Sequence, residues 1–305
     1  MISYLTRRIL WIIPVLFAVS VITFILMHAV PGGPWSQEKR LPAAVVTRLN
    51  AEYGLDQPIY IQYINWATDF VRGDLGPSYR FQDRTVNDIV AEGLPITVHL
   101  GVMAFLLSVI VGIPLGIFAA LGHNRWPDYL ATTLSIVGIC TPSFVLAILI
   151  IVVFSVRLPW FPTGGWRGPE YWVLPTVALA GFPIAVIARY TRASMLEVTR
   201  KDYIRTAHSK GLRNGSVVTR HMIRNALIPV VTILGPTLAF LVTGSFIIER
   251  IFNIPGVGRF YLDSIQTRDY SLLMATTVLY AFSVAFLNVV VDVLYAYIDP
   301  RIRYG

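Results

Sequence analysis

The 305-residue sequence predicts an all-α integral membrane protein with six transmembrane helices and both termini on the cytoplasmic side. Only 14% of its residues are charged, whereas a soluble protein carries about 25%. The apolar residues form long runs, and an α-helix needs roughly 20 such residues to cross a bilayer. The basic residues concentrate in the segments that are predicted to lie on one side of the membrane. A β-barrel would show short alternating segments instead, so helices are expected.

The apolar runs define six predicted spans. Residues 9–30 carry no charge and follow Arg7 and Arg8. This run is longer than the apolar region of a secretory signal peptide, about 7–15 residues, and "MHAVPGGP" is a poor cleavage site. We therefore expect a retained anchor. The other spans are expected at residues 97–121, 131–156, 172–188, 228–248 and 276–298.

The distribution of charge predicts the orientation. With the N-terminus inside, the inner segments have a strong excess of Lys and Arg, and most of it lies in residues 189–224. The outer segments are close to neutral. Basic excess marks the cytoplasmic side of a membrane protein. The net charge of +8 thus reflects topology and a lipid bilayer partner, and it does not indicate nucleic-acid binding.

The spans divide the chain into unequal parts. We expect an N-terminal transmembrane helix (1–30), an extracytoplasmic segment (31–93), a five-helix core (94–298) and a cytoplasmic tail (299–305). The extracytoplasmic segment is acidic and aromatic, and by itself it is consistent with a folded spacer. No inverted internal repeat of the kind common in secondary transporters is visible.

The inner loop of the core, residues 191–227, is too long for a simple turn. Leu196, Tyr203 and Ala207 recur at helical spacing, Gly211 suits a helix C-cap, and Ser216 suits the cap of a second helix. We therefore predict two short helices with a bend between them. The loop is either a solvated topological marker or a docking helix, because isolated helices this short are marginal without a partner.

The other residues that could carry chemistry give little indication of function. Asp292 lies within the last span, where it is either a proton-relay group or, as we expect, the structural partner of an inner-loop arginine. Cys140 is the only cysteine, so no disulfide forms within the chain. An ion-coupled secondary transporter stays an alternative with Asp292 as its one candidate. An intramembrane enzyme is disfavoured, since H-E-x-x-H and G-x-S-x-G are absent.

The stretch "RTAHSKGLRNGSVVTRHMIRNALIPV" resembles the coupling loop of ABC importer permeases of the dipeptide, oligopeptide and nickel branch. Ala207, Gly211, His221 and Ile223 match that branch, while Arg224 stands where the general motif has proline. Arg205 and Thr206 replace its Glu and Ala. Four further stretches resemble the same branch in the same order, namely "TRRILWIIPVLFAVSVITF", "TPSFVLAILIIVVFSVRLPWFPTGG", "ERIFNIPGVGRFYLDSIQTRDY" and "NVVVDVLYAYIDPRIR".

The resemblance implies a type I ABC importer transmembrane fold, with one N-terminal helix plus a five-helix core. It implies a multi-pass subunit of a prokaryotic plasma (inner) membrane that is not an enzyme. A second, homologous permease subunit, giving a heterodimer, two cytoplasmic ATPases and an extracytoplasmic binding protein would be its partners. ATP and Mg would be bound by the ATPases, and G-x-x-x-x-G-K-[ST] is absent from this chain. Peptides are the expected substrates, with nickel chelates or oligosaccharides as alternatives. The resemblance also suggests that the extracytoplasmic segment lies near the binding-protein dock or the outer gate, as the alternative to a folded spacer.

The same resemblance places an ATPase-coupling surface in the inner loop. Tyr203 would be its aromatic anchor, Ala207 its position of close approach and Gly211 its bend, while Arg205 and Lys210 would be charges at the rim. The full set is Tyr203, Arg205, Thr206, Ala207, Lys210, Gly211, Leu212, His221 and Asn225.

Overall fold

The computed structural model describes residues 2–35, 42–81 and 83–298, and it confirms the all-helical prediction. The predicted cytoplasmic tail, 299–305, lies outside these residues. The helices in chain order are α1 (Ile2–Ala29), α2 (Ala43–Glu52), α3 (Ile59–Val71), α4 (Val86–Leu121), α5 (Trp126–Cys140), α6 (Ser143–Ile151), α7 (Pro169–Thr199), α8 (Asp202–Ser209), α9 (Asn214–Ser216), α10 (Arg224–Thr243), α11 (Phe246–Ile251), α12 (Val257–Thr267) and α13 (Tyr270–Ile298). Two π-helical stretches extend them, Val152–Arg157 after α6 and Val217–Ile223 between α9 and α10.

Five helical runs among the described residues are long and apolar enough to cross a bilayer. They are α1, α4, α7, the run Asn214–Ile251 and α13. The expected span at residues 131–156 is instead a bent pair, in which α5 and the run Ser143–Arg157 meet at 106°. Pro142 causes the break, because a proline disfavours helical backbone at the residue before it, and Thr141 is extended. Counted as one crossing, this pair gives the sixth span.

The spans are longer than the apolar runs that predicted them. Helix α4 begins eleven residues before the expected start at Thr97, at a capping box formed by Thr85 and Asp88. Helix α7 extends to Thr199 and so takes up the first part of the predicted inner loop. Composition detects only the part of a helix that lies in the apolar layer, and the polar ends continue beyond it.

Helices α4 and α7 form the most extensive helix pair of the core. Gly116 of α4 permits their close approach, since a Cβ there would collide with the backbone carbonyl of Ala188 on α7. Small residues at helix interfaces are typical of membrane proteins, where packing replaces the hydrophobic effect. Helix α10 packs on α4, α7 and α13. These four helices therefore form the centre of the bundle.

Helix α1 lies at the edge of the bundle and packs on α13. Near one end of this pair, Arg8 forms an ion pair with Asp292. The expectation of an inner-loop arginine was therefore wrong about the partner, because the antiparallel packing of α1 and α13 brings Arg8 to the carboxylate first. The same contact places the beginning of α1 and the end of α13 at one end of the molecule. Following the predicted orientation, we refer to this end as the inner end.

A buried ion pair links the α4–α5 turn to α7 at the inner end. The Asp128 side chain is only 4% exposed and accepts from Nε of Arg192 at 2.5 Å and from its Nη2 at 2.8 Å. The backbone N–H of Asn124 donates to the same carboxylate at 3.0 Å, and Nδ1 of His123 lies 3.1 Å from it. Such bidentate, charge-assisted contacts fix geometry as well as energy.

A second buried carboxylate organises the outer end. Glu249 of α11 is fully buried, and its Oε2 accepts from the backbone N–H groups of Gly258 at 2.8 Å and Arg259 at 3.3 Å. The preceding amide, Val257, donates to Oγ1 of Thr97 on α4 at 3.0 Å. The first turn of α12 is thus capped by side chains distant in sequence, although its own N-cap residue, Gly256, offers none. This arrangement fastens the segment between α10 and α13 to α4.

We predict that Asp128→Asn destabilises the protein by about 3 kcal/mol, because it leaves the Arg192 guanidinium without its charged partner. The exposed pair between Asp202 and Arg205, at 3.9 Å, supplies a matched control. Asp202→Asn should change stability by less than about 1 kcal/mol. Thermal unfolding of the purified protein in one detergent measures both variants. Equal unfolding midpoints for the two variants would contradict the assignment of Asp128 and Arg192 as a stabilising ion pair.

We predict that Glu249→Ala increases hydrogen exchange at the backbone amides of Gly258 and Arg259, because each loses a buried acceptor worth about 1–3 kcal/mol. Glu249→Gln, which keeps one carbonyl oxygen, should give an intermediate increase. Glu170→Ala, at an exposed carboxylate of α7, serves as the control and should leave these amides unchanged. Exchange followed by mass spectrometry on peptides from residues 252–267 provides the measurement, and unchanged protection in Glu249→Ala would contradict the prediction.

Candidate functional site

Helix α8 lies at the inner end as a short amphipathic helix. Its two buried residues, Ile204 and Ala207, are separated by three positions and so share a face. Tyr203, Arg205 and Thr206 occupy the exposed side. The aromatic residue of the loop is therefore outside, and Ile204, which the sequence analysis did not select, provides the larger buried side chain.

The buried face of α8 packs into an apolar cluster that we name the inner cluster. Its buried members are Ala120, Met195, Val198, Ile204, Ala207, Val217, Met222 and Ala226. They come from α4, α7, α8, the π-helical stretch and α10. The inner cluster therefore joins α8 to the inner ends of three spans. Ser194 reinforces the cluster, since its hydroxyl donates to the carbonyl of Ala226 at 2.7 Å.

Gly211 ends α8 in the way that the sequence predicts. Its φ is +76°, a left-handed conformation that other residues adopt at a cost. Its N–H donates to the carbonyl of His208 at 2.9 Å, and that of Leu212 donates to Ala207 at 3.3 Å. A Cβ at Gly211 would meet no atom within 4 Å, so the backbone conformation alone requires glycine.

The predicted second short helix is not separate. A helix begins at Asn214, after Arg213, and runs through the π-helical stretch into α10 without a break, so Ser216 is inside it rather than at its cap. The apolar repeat of Val218 and Met222 continues into the span, and no proline or glycine interrupts it there. The connection between α7 and the next span therefore contains α8 as its only helix in the described residues.

The predicted coupling residues fall into two groups. Seven of them are exposed at the inner end, namely Tyr203, Arg205, Thr206, Lys210, Gly211, Leu212 and Asn225, and His221 is half-buried. Ala207 is buried against the chain's own inner cluster, so it brings α8 close to the bundle rather than to a partner. The structure thus separates a face that holds α8 in place from a face that is open to another protein.

The exposed face combines apolar anchors with positive charge. Tyr203 is 42% exposed and Leu212 is 41% exposed, and Arg205 and Lys210 lie near them in sequence. Lys201 is engaged within the chain, since its Nζ lies 2.9 Å from a carboxylate oxygen of Glu197, and this contact raises the pKa of Lys201. Exposed Tyr and Arg side chains on one short helix are typical of an interaction surface. The described residues include no group of His, Cys, Asp and Glu side chains suited to a metal ion.

The chain is similar over its whole length to characterised permeases. It is 43% identical over 303 residues to the dipeptide transport system permease protein DppB of Bacillus subtilis, covering 99% of this chain and 98% of that protein. It is 43% identical over 307 residues to the oligopeptide permease protein OppB of Salmonella typhimurium, covering all of both chains. It is also 42% identical over 306 residues to the glutathione permease protein GsiC of Escherichia coli O6:H1, again with full coverage.

Solved structures support the fold. A chain from the methionine ABC transporter MetNI, in inward-facing conformations, superposes with a TM-score of 0.58 over 69% of this chain and 96% of its own length, at 16% identity. A chain from an amino acid ABC transporter gives a TM-score of 0.55 over 69% of this chain and 94% of its own, at 17% identity. The predicted type I importer fold is confirmed by this similarity.

Two family models account for most of the sequence. The model for the N-terminal region of the binding-protein-dependent transport system membrane component matches residues 1–101. The model described as "Binding-protein-dependent transport system inner membrane component" matches residues 112–304. Together with the full-length relatives, these matches show that the chain belongs to the family of inner membrane components of binding-protein-dependent transport systems.

Proposed function

We propose that this chain is a permease subunit of an ATP-driven importer that moves di- or oligopeptides across the prokaryotic inner membrane. Full-length relatives at about 43% identity are named for dipeptide and oligopeptide transport, which supports this substrate class. The glutathione relative extends the range to another small peptide. Nickel chelates, oligosaccharides and ion-coupled transport have no comparable support.

The observation that carries the proposal is the division of α8 into two faces. Ile204 and Ala207 are fixed in the inner cluster, while Tyr203 and Arg205 point away from it. An ATPase that holds the exposed face moves α8 as a rigid body, and the inner cluster passes that motion to α4, α7 and α10. A subunit without a nucleotide-binding loop receives energy in this mechanical form.

The assembly follows from the same division of labour. A second homologous permease subunit pairs with this chain in a heterodimer, and two cytoplasmic ATPases, which bind ATP and Mg, engage the α8 surface of each subunit. An extracytoplasmic binding protein delivers the peptide at the outer end. The exposed coupling residues of this chain, with half-buried His221, form its part of the contact with the ATPase.

Reconstitution tests the function directly. In proteoliposomes that contain the complete importer, a labelled peptide should accumulate only with the binding protein outside and ATP inside. Replacing ATP with a non-hydrolysable analogue should abolish uptake. Uptake that is driven by a proton or sodium gradient without ATP would establish the secondary-transporter alternative instead.

Gly211 offers a test of the coupling role. Gly211→Ala strains a residue with φ of +76°, at a cost of about 1–2 kcal/mol, and should tilt the end of α8 and lower transport more than ATP hydrolysis. Gly215→Ala is the matched control, because Gly215 is helical and a Cβ there also meets no atom within 4 Å. Gly215→Ala should keep full coupling. The ratio of peptide taken up to ATP hydrolysed measures the effect, and an unchanged ratio in Gly211→Ala would contradict it.

A further inference from the structure

A cavity of about 240 Å³ opens at the outer end between α1, α13 and the segment that contains α2 and α3. It lies on the edge of the bundle, beside α1, whose main packing partner is α13. It is also smaller than the roughly 300–1,000 Å³ of a typical pocket for a whole small molecule. The cavity thus suits one inserted side chain better than an extended peptide on its way through the bundle.

Aromatic rings form much of the cavity wall. The rings of Tyr53 and Tyr79 are 4.8 Å apart and edge to face, and that of Tyr270 lies 6.2 Å from Tyr79. Burial raises the pKa of Tyr79 to about 12 and also raises that of Tyr53, so both phenols stay neutral. Neutral aromatic faces attract cations within about 6 Å of the ring.

The charged side chains that line the cavity are all acidic. Glu52, Asp69 and Asp74 line it, and no Lys or Arg does so among the described residues. Asp69 lies 3.8 Å from Arg72, an exposed pair, and Asp74 accepts from the backbone N–H of Gly76 at 2.9 Å. Three carboxylates beside aromatic rings, without a lining Lys or Arg, favour a positively charged occupant.

The polar groups of the cavity wall other than the carboxylates offer little to an occupant. The Nε1–H group of Trp66 is buried and closed to solvent. His28 is already engaged, with Nδ1 2.9 Å from the carbonyl of Phe24 and Nε2 3.3 Å from Oε1 of Gln62. Recognition of an occupant therefore depends on the lining carboxylates and the aromatic rings.

We propose that this cavity receives a Lys or Arg side chain of the extracytoplasmic binding protein. The proposal rests on the proposed function, which supplies such a partner at the outer end. The cation is held by Glu52 and Asp69 with the ring faces of Tyr53 and Tyr79. The site lies at the opposite end of the molecule from α8. Its occupancy therefore depends on docking of the binding protein rather than on ATP binding.

The test measures ATP hydrolysis by the complete importer in nanodiscs as binding protein is titrated. The double variant Glu52→Gln/Asp69→Asn should raise the half-saturating concentration of binding protein about fivefold, with maximal hydrolysis unchanged, since exposed ion pairs have this size of effect. Raising the salt concentration should weaken the wild type more than the variant. Tyr53→Leu should also raise the half-saturating concentration, and Tyr53→Phe should not, because phenylalanine keeps the ring.

Asp56→Asn is the matched control, since Asp56 is an exposed acid of the same segment that does not line the cavity. An equal shift in Asp56→Asn would show a general charge effect and overturn the proposal, as would an unshifted double variant. If trilysine peptide binds the importer without binding protein and leaves the titration unaltered, the cavity is a small-ligand site and the proposal is wrong. If the wild type shows no stimulation by binding protein at all, the proposed function itself fails.

Discussion

A polar group inside a bilayer has to find its partner within the protein, because lipid offers none. This constraint explains two buried carboxylates at opposite ends of the structure. Glu249 caps the first turn of α12, and Asp128 holds Arg192. Each contact ties a connecting segment to a long helix, so the loops at both ends of the molecule have fixed positions. The rest of the architecture depends on these fixed loops.

The inner end shows how this fixation serves transport. The family to which the chain belongs supplies the membrane component of transporters that work with ATPases and binding proteins. Helix α8 has too few residues to be stable alone, and its stability comes from Ile204 and Ala207 in the inner cluster. Because that cluster contains the ends of α4, α7 and α10, the contact that stabilises α8 also joins it to these three spans, which is the connection that the proposed coupling role requires.

Local sequence patterns predicted the features of this fold that depend on neighbouring residues in the sequence. Composition located the membrane helices, and the position of Gly211 predicted the bend after α8. The patterns failed where tertiary contacts decide. Whether Tyr203 or Ile204 faces the bundle depends on where α7 ends, and the apolar run at 131–156 does not reveal how far Pro142 bends it. The ion-pair partner of Asp292 is Arg8, and no local sequence pattern connects these two residues.

Helix α4 physically joins the two ends of the molecule. It carries Thr97, which holds the first amide of α12, and Ala120, a member of the inner cluster. The residues between them are close-packed on α7, where Gly116 allows backbone contact. Shifting one turn of a helix packed in this way requires its neighbours to move as well, so the contacts at its two ends are not independent. Helix α4 thus gives the inner cluster and the α12 cap one closely packed support.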